Sequence, residues 1–185
     1  MAEKIVNLPL TDEAVKGLEA GDRVLLNGVL YTGRDDAHMH LVEMIKKGEK
    51  LPIDLEGLCI YYVGPCPAKP GQVIGSAGPT TSGRMDSMAP LLMDHGLKGM
   101  IGKGLRTQEV IDAMIRNNCV YFASLGGGGA LLAKCITEAE VVAFPELGPE
   151  AIYKLKIENF PATVIIDCKG KNLYNEGRAK YEVKD

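Results

Sequence analysis

The sequence predicts one compact α/β domain over residues 1–185, and three observations carry that expectation. With 185 residues, 46% of them apolar and 24% charged, the chain can bury about 70% of its unfolded surface, so a real core is available and wholesale disorder is excluded. Short β-like apolar runs, some of them in pairs, are mixed with stretches of helical period, the pattern of a compact α/β sandwich. No repeat, low-complexity tract or long linker interrupts that order.

Taken along the chain, Thr11 to Ala20 reads as a short helix, with Thr11 as its N-cap and Gly21 as its stop. Val24 to Tyr31 is apolar and β-like, with a candidate turn at Asn27-Gly28. Ala37 to Lys47 carries Leu41, Met44 and Ile45 at helical spacing and ends near Gly48. Cys59 to Val63 and Gln72 to Ser76 read as short strands between Gly-Pro-rich turns. Met85 to His95 reads as a helix stopped by Gly96, and Met100-Ile101 as a short strand. A helix from Thr107 to Asn117 and a buried strand from Cys119 to Ser124 follow. After four glycines, Ala130 to Cys135 is helical, and Val141-Val142 and Thr163 to Ile166 are the later strands.

Composition narrows the function. Lys and Arg number 21 against 24 Asp and Glu, a net charge of −3, so no global basic field exists to hold nucleic acid or an anionic membrane. Any bound anion must be held by a local cluster of cations. Glycine is abundant, 22 residues or about 12% against a typical 7%, which points to tight turns or close backbone approach to a ligand. Cys59, Cys66, Cys119, Cys135 and Cys168 are irregularly spaced with no Cys-x-x-Cys pair, which removes the main support for zinc-ribbon, thioredoxin-like and ferredoxin-like readings. A reduced, cytoplasmic chain is expected. The opening MAEKIVNLPLTDEAV has no apolar core of a secretory signal, and no apolar run approaches a membrane span.

Several motifs resolve into plain structure. Gly126 to Gly129, between a strand and a helix, lacks the second half of a dinucleotide fingerprint and reads first as a tight turn. Gly96 to Gly104 has the wrong spacing for a P-loop, and Gly104 stands where Ser or Thr is needed. His38 and His40 diverge if they lie on a helix, and no third ligand is evident, so no metal site is expected. His95 suits a helix C-terminus, and Cys66, between Pro65 and Pro67, has no nameable base beside it.

The segment Gly78-Pro-Thr-Thr-Ser-Gly-Arg-Met-Asp86 is the most informative. Any one of Thr80, Thr81 and Ser82 could cap a helix, yet three hydroxyls exceed that need. Together with Arg84 and N–H groups at a helix start, they suit a carboxylate or phosphate. Arg34 and Lys103 also sit in glycine-marked turns, although spacing alone leaves open whether they converge or are simply solvated.

Three blocks, Thr32-Gly-Arg-Asp-Asp-Ala-His38, Gly78 to Asp86 and Gly102-Lys-Gly104, resemble in order and separation the C-terminal domain of class I, iron–sulfur fumarate hydratases. In two-subunit members that domain is a separate β chain, of a type shared with L(+)-tartrate dehydratase. Gly148-Pro-Glu-Ala-Ile-Tyr153 and Asn159-Phe-Pro-Ala162 are similar as well, so the resemblance runs from about Leu8 onward. The chain departs from the family pattern at the four-glycine run, where a proline is expected after the first two. The resemblance implies a swivelling β/β/α domain that closes over a substrate held at a cluster in the partner. It matches Thr80 to the hydroxyl that exchanges the carbon-bound proton, Arg34 and Arg84 to arginines on substrate carboxylates, and Lys103 to a substrate-binding lysine. Thr81, Ser82 and Asp86 are supporting candidates in the same block. The four-iron four-sulfur cluster and the acid/base aspartate belong, in the family, to the other domain or to an α subunit.

Hydration of fumarate needs a Lewis acid for the hydroxyl, a proton donor for the neighbouring carbon, and cations that hold a dianion in one pose. This chain offers the hydroxyl and the cations and no metal set. The expectation is therefore half of an active site: the β subunit of a hydro-lyase of the tricarboxylic acid cycle, in a hetero-oligomer, with two of each chain as one arrangement. The alternatives are the β subunit of L(+)-tartrate dehydratase and a non-catalytic partner or regulatory module on the same fold.

Overall fold

The computed structural model describes residues 3–183. Strands and helices follow in the order β1 (Lys4–Leu8), α1 (Asp12–Lys16), β2 (Arg23–Thr32), α2 (Asp35–Lys47), β3 (Cys59–Tyr61), α3 (Ala89–Met93), β4 (Gly99–Gly102), α4 (Gln108–Asn117), β5 (Val120–Ala123), α5 (Gly129–Ala133), β6 (Ile136–Ala143), β7 (Ile152–Ile166) and α6 (Leu173–Tyr181). Short 3-10 segments at Ser82–Met85 and Pro145–Glu150 precede α3 and β7.

The strands form one seven-stranded sheet in the order β1-β2-β3-β4-β5-β7-β6, and β2 also pairs with β7. β2, β3, β4 and β5 are mutually parallel, and β7 returns antiparallel to both ends of that set. The ring β2-β3-β4-β5-β7 therefore closes on itself. β7 can do this because it is long: Lys154 to Thr163 run along β2, and Thr163 to Ile166 run along β5.

Closure divides the apolar residues by the two-residue period of a strand. Leu26, Leu30, Tyr61, Ile101, Val120, Phe122, Phe160 and Val164 fill the interior of the ring. Their neighbours Ile60, Tyr62, Met100 and Tyr121 face outward, where Leu41 of α2, Leu92 of α3 and Met114 of α4 cover them. The result is a compact mixed α/β fold, a ring of strands with α2, α3 and α4 on its outer face and with Val15 of α1 and Leu132 of α5 packed into the inner core.

Local signals held where they were strong. Thr11 caps α1 by accepting the Ala14 N–H at 3.1 Å, Gly48 ends α2 in the left-handed region at φ 69°, and Asn118 ends α4 in the same way. Other expectations are corrected. α1 stops at Lys16 rather than Ala20. Asn27-Gly28 is a bulge inside a continuous β2, not a turn: Gly28 has φ 112°, and a Cβ there would lie 2.5 Å from the Leu8 carbonyl oxygen. Gln72 to Ser76 form no strand; the loop folds on itself through Cys66 N–H to Ser76 O at 2.9 Å and Gly75 N–H to Cys66 O at 3.1 Å. The expected helix from Met85 to His95 is a 3-10 turn followed by α3, which begins at Ala89 because Pro90 has no N–H to donate and fits only a first helical turn. β1, α6 and the first half of β7 had no clear sequence signal: α6 buries no residue, and β7 carries Lys154, Lys156, Glu158 and Pro161 on its partly exposed length.

Candidate functional site

The parallel strands β2, β3 and β4 all point their C-terminal ends at one edge of the fold, the side where loops of a parallel sheet separate and leave room for a ligand. Arg34 follows β2, Tyr62 and Gly64 follow β3, and Lys103 follows β4. Within the long β3-to-β4 connection, Gly78 to Asp86 crosses back over this edge. Thr80 N–H donates to Tyr62 O at 2.8 Å, Lys103 N–H to Thr80 O at 3.2 Å, and Ser82 N–H to Lys103 O at 2.8 Å. Thr81 and Lys103 form a parallel bridge. The structure thus sets Thr80, Thr81 and Ser82 beside Lys103 on one short ribbon. Thr80 is half-buried, Thr81 and Lys103 are exposed, and Ser82 is buried.

Arg84 and Arg34 join this ribbon through acidic partners. Arg84 Nε donates to Asp35 Oδ1 at 2.9 Å, and Asp35 opens α2 directly after Arg34. Arg34 Nη2 lies 3.2 Å from Glu150 Oε1, whose Oε2 accepts the Asp36 N–H at 3.3 Å. Thr32 makes this meeting possible. Its hydroxyl donates to Ala151 O at 3.2 Å and accepts the Tyr153 N–H at 2.9 Å, which pins the start of β7 beside the end of β2. The Arg34 guanidinium lies in a cradle that a side chain would fill. A Cβ on Gly64 would be 2.6 Å from Arg34 Nη1 and 3.2 Å from Pro149 O. Asp35, Gly64 and Glu150 were not singled out by reasoning on the sequence; the one available signal for Glu150 was its place in the Gly148-to-Tyr153 block.

Asp86 supports the edge from below. Its Oδ1 accepts Arg106 Nε at 2.6 Å in a buried contact, and its Oδ2 accepts the Thr107 N–H at 2.6 Å in a part-buried one. Arg106 is a fully buried side chain, with its Cζ 5.4 Å from the Tyr62 ring centre and 5.1 Å from that of Tyr121. Ser82 Oγ is 2.9 Å from the Tyr121 hydroxyl.

His38 is buried in the same layer, with Nδ1 2.8 Å from Arg34 O and its ring edge-on to Tyr62. A carbonyl only accepts, so Nδ1 carries the proton. Burial, helped by the Arg106 charge and opposed by the Arg34 carbonyl, holds the imidazole down at about 4 from an ordinary 6.5. The unfolded chain binds this proton more readily than the folded one. The stability due to a neutral His38 is thus complete above pH 6.5 and is lost as pH falls toward 4, by about 3 kcal/mol over that window. In urea unfolding followed across pH 4–7, His38→Asn is expected to be less stable at pH 7 and to show a flatter pH dependence. An unchanged slope would assign the titration to another group. His40 packs instead against Phe144, 4.9 Å between ring centres, so the two histidines do diverge.

Among the described residues, no group of three or more His, Cys, Asp or Glu side chains could hold a metal ion. The thiols do not fit an iron–sulfur cluster, which takes thiolates as ligands. Cys59 and Cys168 lie in the inner core and Cys119 in the outer one. Burial pushes the Cys59 thiol far up and that of Cys119 up to about 12. A cleft of about 710 Å³ lined by Lys4, Asn7, Thr11 and Glu13 lies between β1 and α1 and contains none of the residues above.

A sequence model of the family described as "Fumarase C-terminus" matches residues 2–177. "Fumarate hydratase 2" of Leishmania major is 44% identical over 158 residues, which are 84% of this chain and 28% of that protein. "Fumarate hydratase class I, anaerobic" of Escherichia coli (strain K12) is 44% identical over 156 residues, 83% of this chain and 28% of that protein. "Putative L(+)-tartrate dehydratase subunit beta" of Methanocaldococcus jannaschii is 40% identical over 177 residues, 92% of this chain and 91% of that protein. The chain therefore spans little more than a quarter of the fumarate hydratases it matches and nearly all of the tartrate dehydratase subunit.

Proposed function

The chain belongs to the fumarase C-terminus family, and on that premise we propose that residues 1–185 act as one domain, the β subunit of an iron–sulfur hydro-lyase that reversibly hydrates fumarate to (S)-malate. The observation that carries the proposal is the ribbon at the strand ends: Thr80 and Ser82 are each joined to Lys103 by a main-chain hydrogen bond, and Arg84 and Arg34 at the same edge are held on Asp35 and Glu150. A hydroxyl and several cations on an open edge suit a small dicarboxylate whose remaining contacts come from another chain. The near-complete coverage of a relative named as a beta subunit supports the division into subunits.

In this reading Thr80 exchanges the proton on the substrate carbon, Arg34 and Arg84 hold the two carboxylates, and Lys103 adds a third cation; Thr81, Ser82 and Asp86 shape the ribbon. A threonine hydroxyl is a poor acid, so its alkoxide must be stabilised by nearby cations. The four-iron four-sulfur cluster is assigned to the partner α subunit, because the thiols here do not fit one. The complex is placed in the cytoplasm, as a hetero-oligomer with two of each chain as the first arrangement to test.

The test is to purify the chain anaerobically with whatever it binds in its own cells. Fumarate loss is then followed for the complex and for the chain alone. Activity confined to the complex is expected. The M. jannaschii relative favours one second reading, the β subunit of an L(+)-tartrate dehydratase. A side-by-side assay with malate and L(+)-tartrate separates the two. A cluster-bearing complex that turns over no diacid would point to a non-catalytic module.

Gly64→Ala tests the arginine cradle. The new methyl displaces the Arg34 guanidinium from Glu150, and KM for the diacid is expected to rise about tenfold, about 1.4 kcal/mol of lost binding. An unchanged KM would remove Arg34 from the binding site.

A further inference from the structure

One buried hydroxyl joins the segment that carries Thr80 to the turn that carries Lys103. Tyr121 lies on the outer face of β5 with its ring fully buried. Its O–H donates to Gly104 O at 3.0 Å, and its oxygen is 2.9 Å from Ser82 Oγ. A phenol has a single proton, so with that proton on Gly104 the Ser82 hydroxyl is the donor in the second bond. A phenol keeps its proton at neutral pH in any case, and burial pushes the Tyr121 phenol further up. Ser82 is two residues after Thr80, and Gly104 is one after Lys103. Arg106 lies over the Tyr121 ring at 5.1 Å and is itself held by Asp86, so the ring has little freedom to move.

We propose that Tyr121 is a positioning residue for the Thr80–Lys103 pair, setting the spacing of the two side chains by tying Ser82 to Gly104. The proposal rests on the hydro-lyase reading for its effect on chemistry, but its effect on spacing stands apart from any reaction. The main-chain bonds between Thr80, Ser82 and Lys103 fix which residues face each other. The tyrosine hydroxyl adds a third, rigid tie on the buried side, and small shifts at a reacting group are costly, up to about 100-fold for 1 Å.

Tyr121→Phe removes the hydroxyl and keeps the ring. In the purified complex, kcat is expected to fall at least tenfold while KM for the diacid changes less than threefold, since Arg34 and Arg84, which hold the two carboxylates, hang on other contacts and only the third cation, Lys103, shifts. Ser82→Ala removes the other end of the same tie and should give a similar loss. The double variant should be little worse than either alone, the mark of residues acting as one unit. In the chain by itself, amide hydrogen exchange at Ser82 and Lys103 should quicken about tenfold in Tyr121→Phe, with the β2–β7 amides unchanged. Unchanged exchange at Ser82 and Lys103 would overturn the proposal whatever the complex catalyses. Faster local exchange with normal kcat would overturn the link to chemistry. A wild-type complex inactive on every diacid would sink the hydro-lyase reading, leaving the exchange result to decide the spacing role.

Discussion

Thr80→Ala is expected to leave the fold and subunit assembly intact and to lower turnover by about 10²–10⁴-fold, the range that a positioned proton-transfer group contributes. The proposed role belongs to the side chain of this residue, and its structural bonds lie elsewhere. They are main-chain, the N–H to Tyr62 O and the C=O from Lys103 N–H, and alanine keeps both. The side chain is half-buried rather than packed in the core, so its loss leaves no large cavity. Thermal unfolding of the variant chain should lie within a few degrees of the parent, and complex formation by size-exclusion chromatography should be unchanged. Turnover near the parental value would remove Thr80 from the chemistry, leaving a cation site without its proton carrier.

Asp86→Ala is expected to act in the opposite manner, on stability first. Arg106 is fully buried and has Asp86 as its ion-pair partner at 2.6 Å. Removing the carboxylate strands a buried guanidinium, a loss of about 3–5 kcal/mol. It also leaves the Thr107 N–H at the start of α4 without the acceptor it has at 2.6 Å. Against a typical stability of about 5–15 kcal/mol that is a large fraction, worth about 10 °C in Tm for a chain of this size. Circular dichroism melting of the chain measures it. Asp86→Ala combined with Arg106→Met should recover part of the loss, because an apolar pair in place of a buried ion pair is often nearly neutral. A loss below about 1 kcal/mol in the single variant would show that the buried charge is solvated by other means. A fall in turnover with no fall in stability would move Asp86 into the substrate site.

The contrast between these variants marks what can be read from a sequence and what needs a fold. Caps and periods act over about four residues, and the strongest of those readings held, whereas the Gly21 stop of α1 and the Met85-to-His95 helix did not. Thr11 caps α1 and Gly48 ends α2, while the sorting of Ile60 from Tyr61 and of Tyr121 from Phe122 between two cores came only with the closed ring. The Gly78-to-Asp86 block was legible as an anion-binding candidate for the same reason: its hydroxyls, glycines and arginine are consecutive. Chain-distant relations were not legible. Closure of the ring requires β7 to reach both β2 and β5, and nothing in Ile152 to Ile166 announces a partner. Glu150 on Arg34 and Tyr121 between Ser82 and Gly104 exist because the chain returns to the same edge. By itself the sequence determined the class of fold, the strongest helix caps and a block of residue types suited to an anion, since each follows from local sterics, period or charge. The tertiary structure alone decided the register of Thr80 against Lys103, the carboxylates that hold each arginine and the buried tyrosine beneath them, because these depend on long-range strand pairing that no local signal encodes.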